Sequence, residues 1–86
     1  MTVRELEREF ILGQKWAVEC MKVRVIKDGD VERIDEEFYD CERVEYEVGK
    51  TAHCRFYNFT IDYIRCLGDV ITICVSEVSE IVDIND

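Results

Sequence analysis

Eighty-six residues, 48% apolar and 36% charged, describe one small folded domain, too short for a Rossmann or TIM-type scaffold or a buried multi-step active site. Twenty acidic against eleven basic side chains leave a net charge of −9, which gives the chain no general electrostatic reason to bind nucleic acid or an anionic membrane. No stretch approaches the roughly 20 apolar residues of a membrane span.

The chain opens with a helix signature. Thr2 and Glu5 form a T-x-x-E capping box, in which each side chain satisfies an exposed backbone donor. Val3, Leu6 and Phe10 fall on one stripe of a 3.6-residue period, broadened by Ile11 and Leu12, and Gly13 is suited to end the helix. The pattern predicts a helix over about 3–12.

Strand patterning follows. Trp16 and Val18 alternate, and Met21, Val23 and Val25 then alternate on the opposite parity. This predicts a β-bulge near Glu19–Cys20, or a break between two short strands. Asp28-Gly29 suits a type I′ hairpin turn, with Val31 to Ile34 as the return strand. Asp35 to Asp40, with Phe38 and Tyr39 inside it, reads as a connection or one short helical turn. Val44, Tyr46 and Val48 share one parity and Arg43, Glu45 and Glu47 the other, the pattern of a half-buried strand.

Gly49-Lys50-Thr51 reads as a turn, and Tyr57, Phe59, Ile61 and Tyr63 give the cleanest two-residue period in the chain. Gly68-Asp69 marks another turn before a strand from Val70 to Val75, with Ile71, Ile73 and Val75 inward. Ser76 to Asp86 fits either a last short strand through Val82–Ile84 or a frayed tail. The expected fold is α+β: one domain, residues 1–86, with the N-terminal helix packed across a single antiparallel sheet of four to six strands between about 16 and 84.

The usual constellations of catalysis are missing. Five cysteines (Cys20, Cys41, Cys54, Cys66, Cys74) make an odd number with no C-x-x-C pair, and the opening Met1 to Glu9 is too charged for a secretory signal core. Reduced, mostly packed thiols in a cytoplasm are the expectation, so the Asn58-Phe59-Thr60 glycosylation pattern is set aside. His53, the only histidine, adjoins Cys54, but neighbours on a strand point to opposite faces, and the cysteine gaps do not suggest zinc. A calcium loop beginning at Asp28 would need glycine and glutamate where Arg33 and Tyr39 stand. No phosphate-cradling glycine loop occurs, and the charge sign opposes base stacking by Trp16 or by Tyr57 to Tyr63. No enzymatic activity, catalytic residue, metal or cofactor is expected.

Charge is the most informative feature. Residues 1–27 sum to +2, residues 28–47 to −8 and residues 48–86 to −3. The middle segment carries Asp28, Asp30, Glu32, Asp35, Glu36, Glu37, Asp40, Glu42, Glu45 and Glu47 against Arg33 and Arg43 alone. Glu45 and Glu47 would form a row about 7 Å apart on one strand face, and a hairpin from Asp28 would set a second row beside it. Such an array can resemble the regularly spaced phosphates of a nucleic acid and steer a basic partner in a salt-sensitive way. The alternative is a face that only keeps the chain soluble. The candidate partner-binding residues are Asp35, Glu36, Glu37, Tyr39, Asp40, Glu42, Glu45 and Glu47, with Tyr39 as an aromatic anchor.

The opening Met1-Thr2-Val3-Arg4-Glu5-Leu6, followed by a short acidic sheet, resembles many small proteins of phages and prophages. In size and charge the chain is similar to the anti-CRISPR group, several of which inhibit by occupying nucleic-acid sites. That group shares no sequence pattern, so the resemblance implies no residue roles. The leading expectation is a non-enzymatic inhibitor whose acidic segment 28–47 occupies a basic groove of a nucleic-acid-handling enzyme, such as a CRISPR nuclease complex. It implies a host-cell cytoplasmic location and no direct contact with nucleic acid or membrane. The alternative is a structural or assembly module, such as a homodimer formed through an exposed strand edge, with the acid run only solubilising. A small enzyme or a ligand binder would need a pocket the sequence does not reveal.

Overall fold

A computed structural model describes residues 1–50 and 53–85. Its elements are helix α1 (Val3–Glu7) and strands β1 (Lys15–Asp28), β2 (Val31–Ile34), β3 (Asp40–Glu47), β4 (Tyr63–Leu67) and β5 (Val70–Asp83). The structure is mostly β, 57% strand against 6% helix, in one curled, mixed five-stranded sheet. This corrects the expected helix-on-antiparallel-sheet fold in two respects.

First, the helix is half the expected length. The capping box forms, with Thr2 Oγ1 accepting from the Glu5 N–H and Glu5 Oε1 accepting from the Thr2 N–H. The Thr2 N–H and the Thr2 hydroxyl, both donating to Glu5 Oε1, hold that carboxyl below its ordinary range. After Glu7 the chain tightens into i→i+3 turns, Glu9 N–H to Leu6 O and Phe10 N–H to Glu7 O. A helix this short does not recover its nucleation cost alone. It is held because Val3 is fully buried and because residues 3 and 4 donate to Phe59 O and Tyr57 O. Gly13, at φ 84°, serves the entry to β1 rather than the helix end.

Second, the two longest strands are parallel. β1 pairs with β5 from Trp16↔Ile71 to Lys27↔Asp83, while β2, β3 and β4 pair antiparallel with their neighbours. β5 takes one edge of β1 along almost its whole length. β3 (against Lys15–Lys22) and β2 (against Val25–Asp28) therefore share the other edge end to end. A meander reading pairs each strand with its sequence neighbour, and here the segment 53–62 carries the chain across the sheet before the β4–β5 hairpin returns it.

That segment accounts for another expectation that fails. Tyr57, Phe59 and Ile61 alternate as a strand would, yet only Tyr63 lies in one. The rest run through turns and bond to the N-terminus, including Ile61 N–H to Met1 O. Period two shows which side chains face the core; it does not show which backbone completes the hydrogen bonds. Phe56, 1% exposed, packs edge-on to Phe59 and closes the core over Trp16, Val18, Cys20, Ile73 and Val75. Trp16 stacks on Tyr46 with ring centroids 4.5 Å apart.

Both tight hairpins have positive φ only at the first central residue, Gly29 at 61° and Gly68 at 63°. That is the type II′ pattern, with Gly29-Asp30 at the centre instead of the expected Asp28-Gly29 in type I′. The expected turn at 49–51 begins as placed, with Lys50 N–H bonded to Glu47 O, and Thr51 lies outside the described residues. Of the C-terminal segment, Ser76 to Asp83 continue β5 and form no separate short strand, Ile84 N–H bonds to Lys27 O, and Asp86 lies outside the described residues.

All of the buried core lies at one end. The molecule is 51 Å long and 23 by 19 Å across, because β1, β5 and β2 run on beyond the core as a three-stranded arm.

Candidate interaction surface

The sheet pleat decides where the acidic segment goes. Residues paired across strands share a face. Asp40 and Glu42 (opposite Lys22 and Cys20) thus lie on the face that carries Val44 and Tyr46, and Glu45 and Glu47 lie on the other. The expected Glu45/Glu47 row forms, but β2 sits end to end with β3 and sets no second row beside it. Asp35, Glu36, Glu37 and Tyr39 lie on the β2–β3 connection.

Cations meet half of these groups. Asp35 pairs with Arg24 at 3.6 Å, Glu42 with Arg55 at 2.8 Å and Lys22 at 3.8 Å, Glu45 with Arg43 at 3.5 Å, and Glu47 with Lys50 at 3.0 Å. Arg55 also holds Glu77 at 3.1 Å, so it ties β3 to β5 across β1, with its guanidinium 4.1 Å from the Phe56 ring centroid. Its hydrogen bonds keep the Glu42 and Glu77 carboxyls below the ordinary carboxylate range. Among the described residues Glu36, Glu37 and Asp40 have no ion-pair partner, and Tyr39 between them is 75% exposed.

The opposite face has two parts. Over the core end, Glu19 binds Arg43 at 2.7 Å and also Arg65, and Arg43 donates to Thr72 Oγ1 at 3.3 Å. These long side chains cover Ala17 and Thr72, both fully buried. Toward the arm this polar cover stops. Val23 faces Val78, and Val25 faces both Ile81 and Ile34, so an apolar stripe crosses three strands with Met21 at its near end. Val78 is 55% exposed, Ile81 65% and Ile34 52%.

This stripe explains the parity change in β1. No bulge or break interrupts β1 near Glu19–Cys20; the strand is continuous. Trp16, Val18 and Cys20 face the core, and Met21, Val23 and Val25 face the other way because the apolar side of the sheet itself changes. The register shift lies farther along, at Val23/Arg24, where β5 holds the extra residue Ser79, whose hydroxyl donates to Val23 O at 3.2 Å. The sequence signal for the stripe is the parity change itself, which marks a change of apolar face in an unbroken strand.

The arm also has an open edge. β4 accompanies β5 only over Val70–Cys74, and the Asp62 N–H adds one bond to Cys74 O. Val75 to Asp83 have β1 on one side and no described strand on the other. Alternate backbone groups along this edge are available to another strand. Two of its carboxylates are neutralised in place, Glu77 by Arg55 and Glu80 by Arg24 at 3.0 Å.

The residues weighed for catalysis are dispersed. His53 is exposed, and all five thiols are free. Burial pushes the Cys20 thiol up to about 11 and also raises that of Cys41. Cys41, Cys74 and Tyr63 line a pocket of about 180 Å³ beside Glu19 and Met21. No group of three or more metal-ligating side chains occurs among the described residues, and none of the described helices is long and apolar enough to cross a membrane. No family model matches the chain, and no curated protein or solved structure matches it either.

Proposed function

We propose that this chain is a non-enzymatic interaction module that works by docking its β arm, through the open β5 edge and the adjoining apolar face, onto another polypeptide. The observation that carries the reading is the coincidence, on one arm, of two features: a β5 edge over Val75–Asp83 that no other described strand pairs, and exposed Val78 and Ile81 on β5 and Ile34 on β2. Exposed apolar groups that are contiguous across strands mark contact surfaces more often than scattered ones do. Backbone pairing along the edge supplies affinity, and the alternate side chains supply selectivity. In this reading the acid run keeps an otherwise adhesive molecule dispersed.

A second reading keeps the acidic inhibitor of a basic groove, narrowed to the β2–β3 connection. It is favoured by Glu36, Glu37 and Asp40, which lack cation partners among the described residues, beside exposed Tyr39. Sizing in expression-host lysate separates the two. Wild type should elute well above the size of a 10.2 kDa chain, V78K/I81K should elute as a folded monomer, and E36K/E37K/D40K should behave as wild type. If only the acid-reversal variant loses the larger species, and low salt is needed to keep it, the arm reading fails and the inhibitor reading stands.

A further inference from the structure

Resting on the arm reading, we infer that the arm's occupant is a second copy of this chain, joined β5 to β5 in antiparallel register about a two-fold axis, with Val78 opposite Ile81 of the second copy. The bulge at Ser79 restricts the choice. On β5, Ser76, Val78, Ile81 and Asp83 share the apolar face, while Glu77, Glu80 and Val82 share the core face, because the extra residue inverts the parity between Val78 and Glu80. Directly opposed residues in an antiparallel pair must share a face. Registers that set Val78 opposite Val82, or Glu77 opposite Ile81, violate that condition.

Two neighbouring registers on this edge satisfy it. One places Glu77 opposite Glu80 twice, and like charges directly opposed are destabilising. The other places Val78 opposite Ile81, Glu77 opposite Val82 and Ser76 opposite Asp83, with no carboxylate facing another. It joins the two apolar stripes into one band, Ile34–Val25–Ile81 of one copy continuing into Val78 and Val23 of the other. It leaves the Arg55–Glu77 and Arg24–Glu80 pairs in place, since both lie within one chain. A self-complementary patch of this kind is what a closed two-fold dimer requires.

The size of the contact and the charge set its behaviour. Short strands joined edge to edge bury less than the roughly 800 Å² per partner of a standard interface, so the association is reversible and depends on concentration. Each copy carries −9. Salt should therefore strengthen the pairing by screening mutual repulsion, the opposite of its effect on a basic partner.

The test uses two variants that each add one exposed cysteine, V78C and I81C, in a chain whose exposed Cys41 and Cys66 are replaced by serine, so that the only other thiols are the buried Cys20, Cys54 and Cys74. Under mild oxidation, mixing V78C with I81C should give a disulfide-linked dimer in good yield, while either alone should give little, because opposed strand positions fall within disulfide reach. Light scattering on the unmodified chain should show its mass doubling with protein concentration and more readily with added salt, and V78K should abolish the doubling while keeping the wild-type circular dichroism spectrum. Efficient linking of V78C to itself would overturn the register. A monomer at every concentration and salt level would overturn self-pairing; if the lysate experiment still showed arm-dependent assembly, the broader arm reading would survive with a different polypeptide as occupant.

Discussion

Phe56→Ala tests the most specific packing claim, that the irregular segment 53–62 is the lid of the core. Phe56 is 1% exposed, lies edge-on to Phe59 at 5.3 Å between centroids, and carries the Arg55 guanidinium on its face. Truncating a buried phenylalanine costs about 3–5 kcal/mol, and loss of the cation–π contact adds about 0.5–1 kcal/mol. An 86-residue chain has a total stability of about 4–13 kcal/mol at 0.05–0.15 kcal/mol per residue. The variant should therefore lose a large fraction of its stability. Trp16, the only tryptophan and fully buried, reports the transition by fluorescence in urea. Measurements at low protein concentration keep self-association out of the result. Phe56→Leu, which retains most of the volume, should cost less than about 1.5 kcal/mol, and Tyr39→Ala, at an exposed site, should stay within about 0.5 kcal/mol. A cost below about 1 kcal/mol for Phe56→Ala would refute the lid, because a side chain that closes a core cannot be removed that cheaply.

The remaining predictions concern charge, backbone and thiols. Glu42 and Glu77 have folded-state values below the ordinary 4.5, so the stability they contribute is present above that value and is lost as pH falls through the folded ones. Arg55→Gln should flatten this acid-side loss in urea titrations run at several pH values, and an unchanged pH dependence would remove Arg55 as its cause. Gly49 sits at φ 95°, and a Cβ there would meet Leu12 Cδ1 at 2.5 Å; Leu12 can move, so backbone strain dominates and Gly49→Ala should cost about 1–2 kcal/mol in the same denaturation assay. Cys41 and Cys66 should alkylate in the native chain while Cys20, Cys54 and Cys74 react only after unfolding, as read by mass spectrometry. Fast native modification of Cys20, whose thiol is raised to about 11, would contradict its burial.

Local signals in the sequence were legible where a short-range rule decides the geometry. The Thr2–Glu5 box, the glycine turns at 29 and 68, the inward set Val44, Tyr46 and Val48, and Ile73 and Val75 in the core, with Ile71 on their face, all appear in the structure. Strand partners were not legible, because alternation fixes a face and says nothing about the neighbour. Hence Tyr57 to Ile61 read as a strand although their backbone groups bond to residues 1, 3 and 4 and within local turns, and alternation gives no sign of the parallel β1–β5 pairing. The candidate site shows the same division. The acid run was plain in composition, but the pleat and four cations decide which carboxylates remain unpaired: Arg43 and Lys50 are near their partners in sequence, while Arg24 and Arg55 are brought in by the fold. The arm surface was written in the parity change between Val18 and Met21, which acquires its meaning only once β1 is known to be unbroken.

The most direct test of the arm as a contact surface is amide hydrogen exchange along β5, followed across protein concentration and salt. The account predicts that outward-facing amides between Ser76 and Asp83 exchange quickly in dilute, low-salt solution and become protected as either is raised, while Ile71–Cys74, already flanked by β4 and β1, stay protected throughout. Equally fast exchange of the Ser76–Asp83 amides under every condition, including lysate in which the larger species forms, would contradict it.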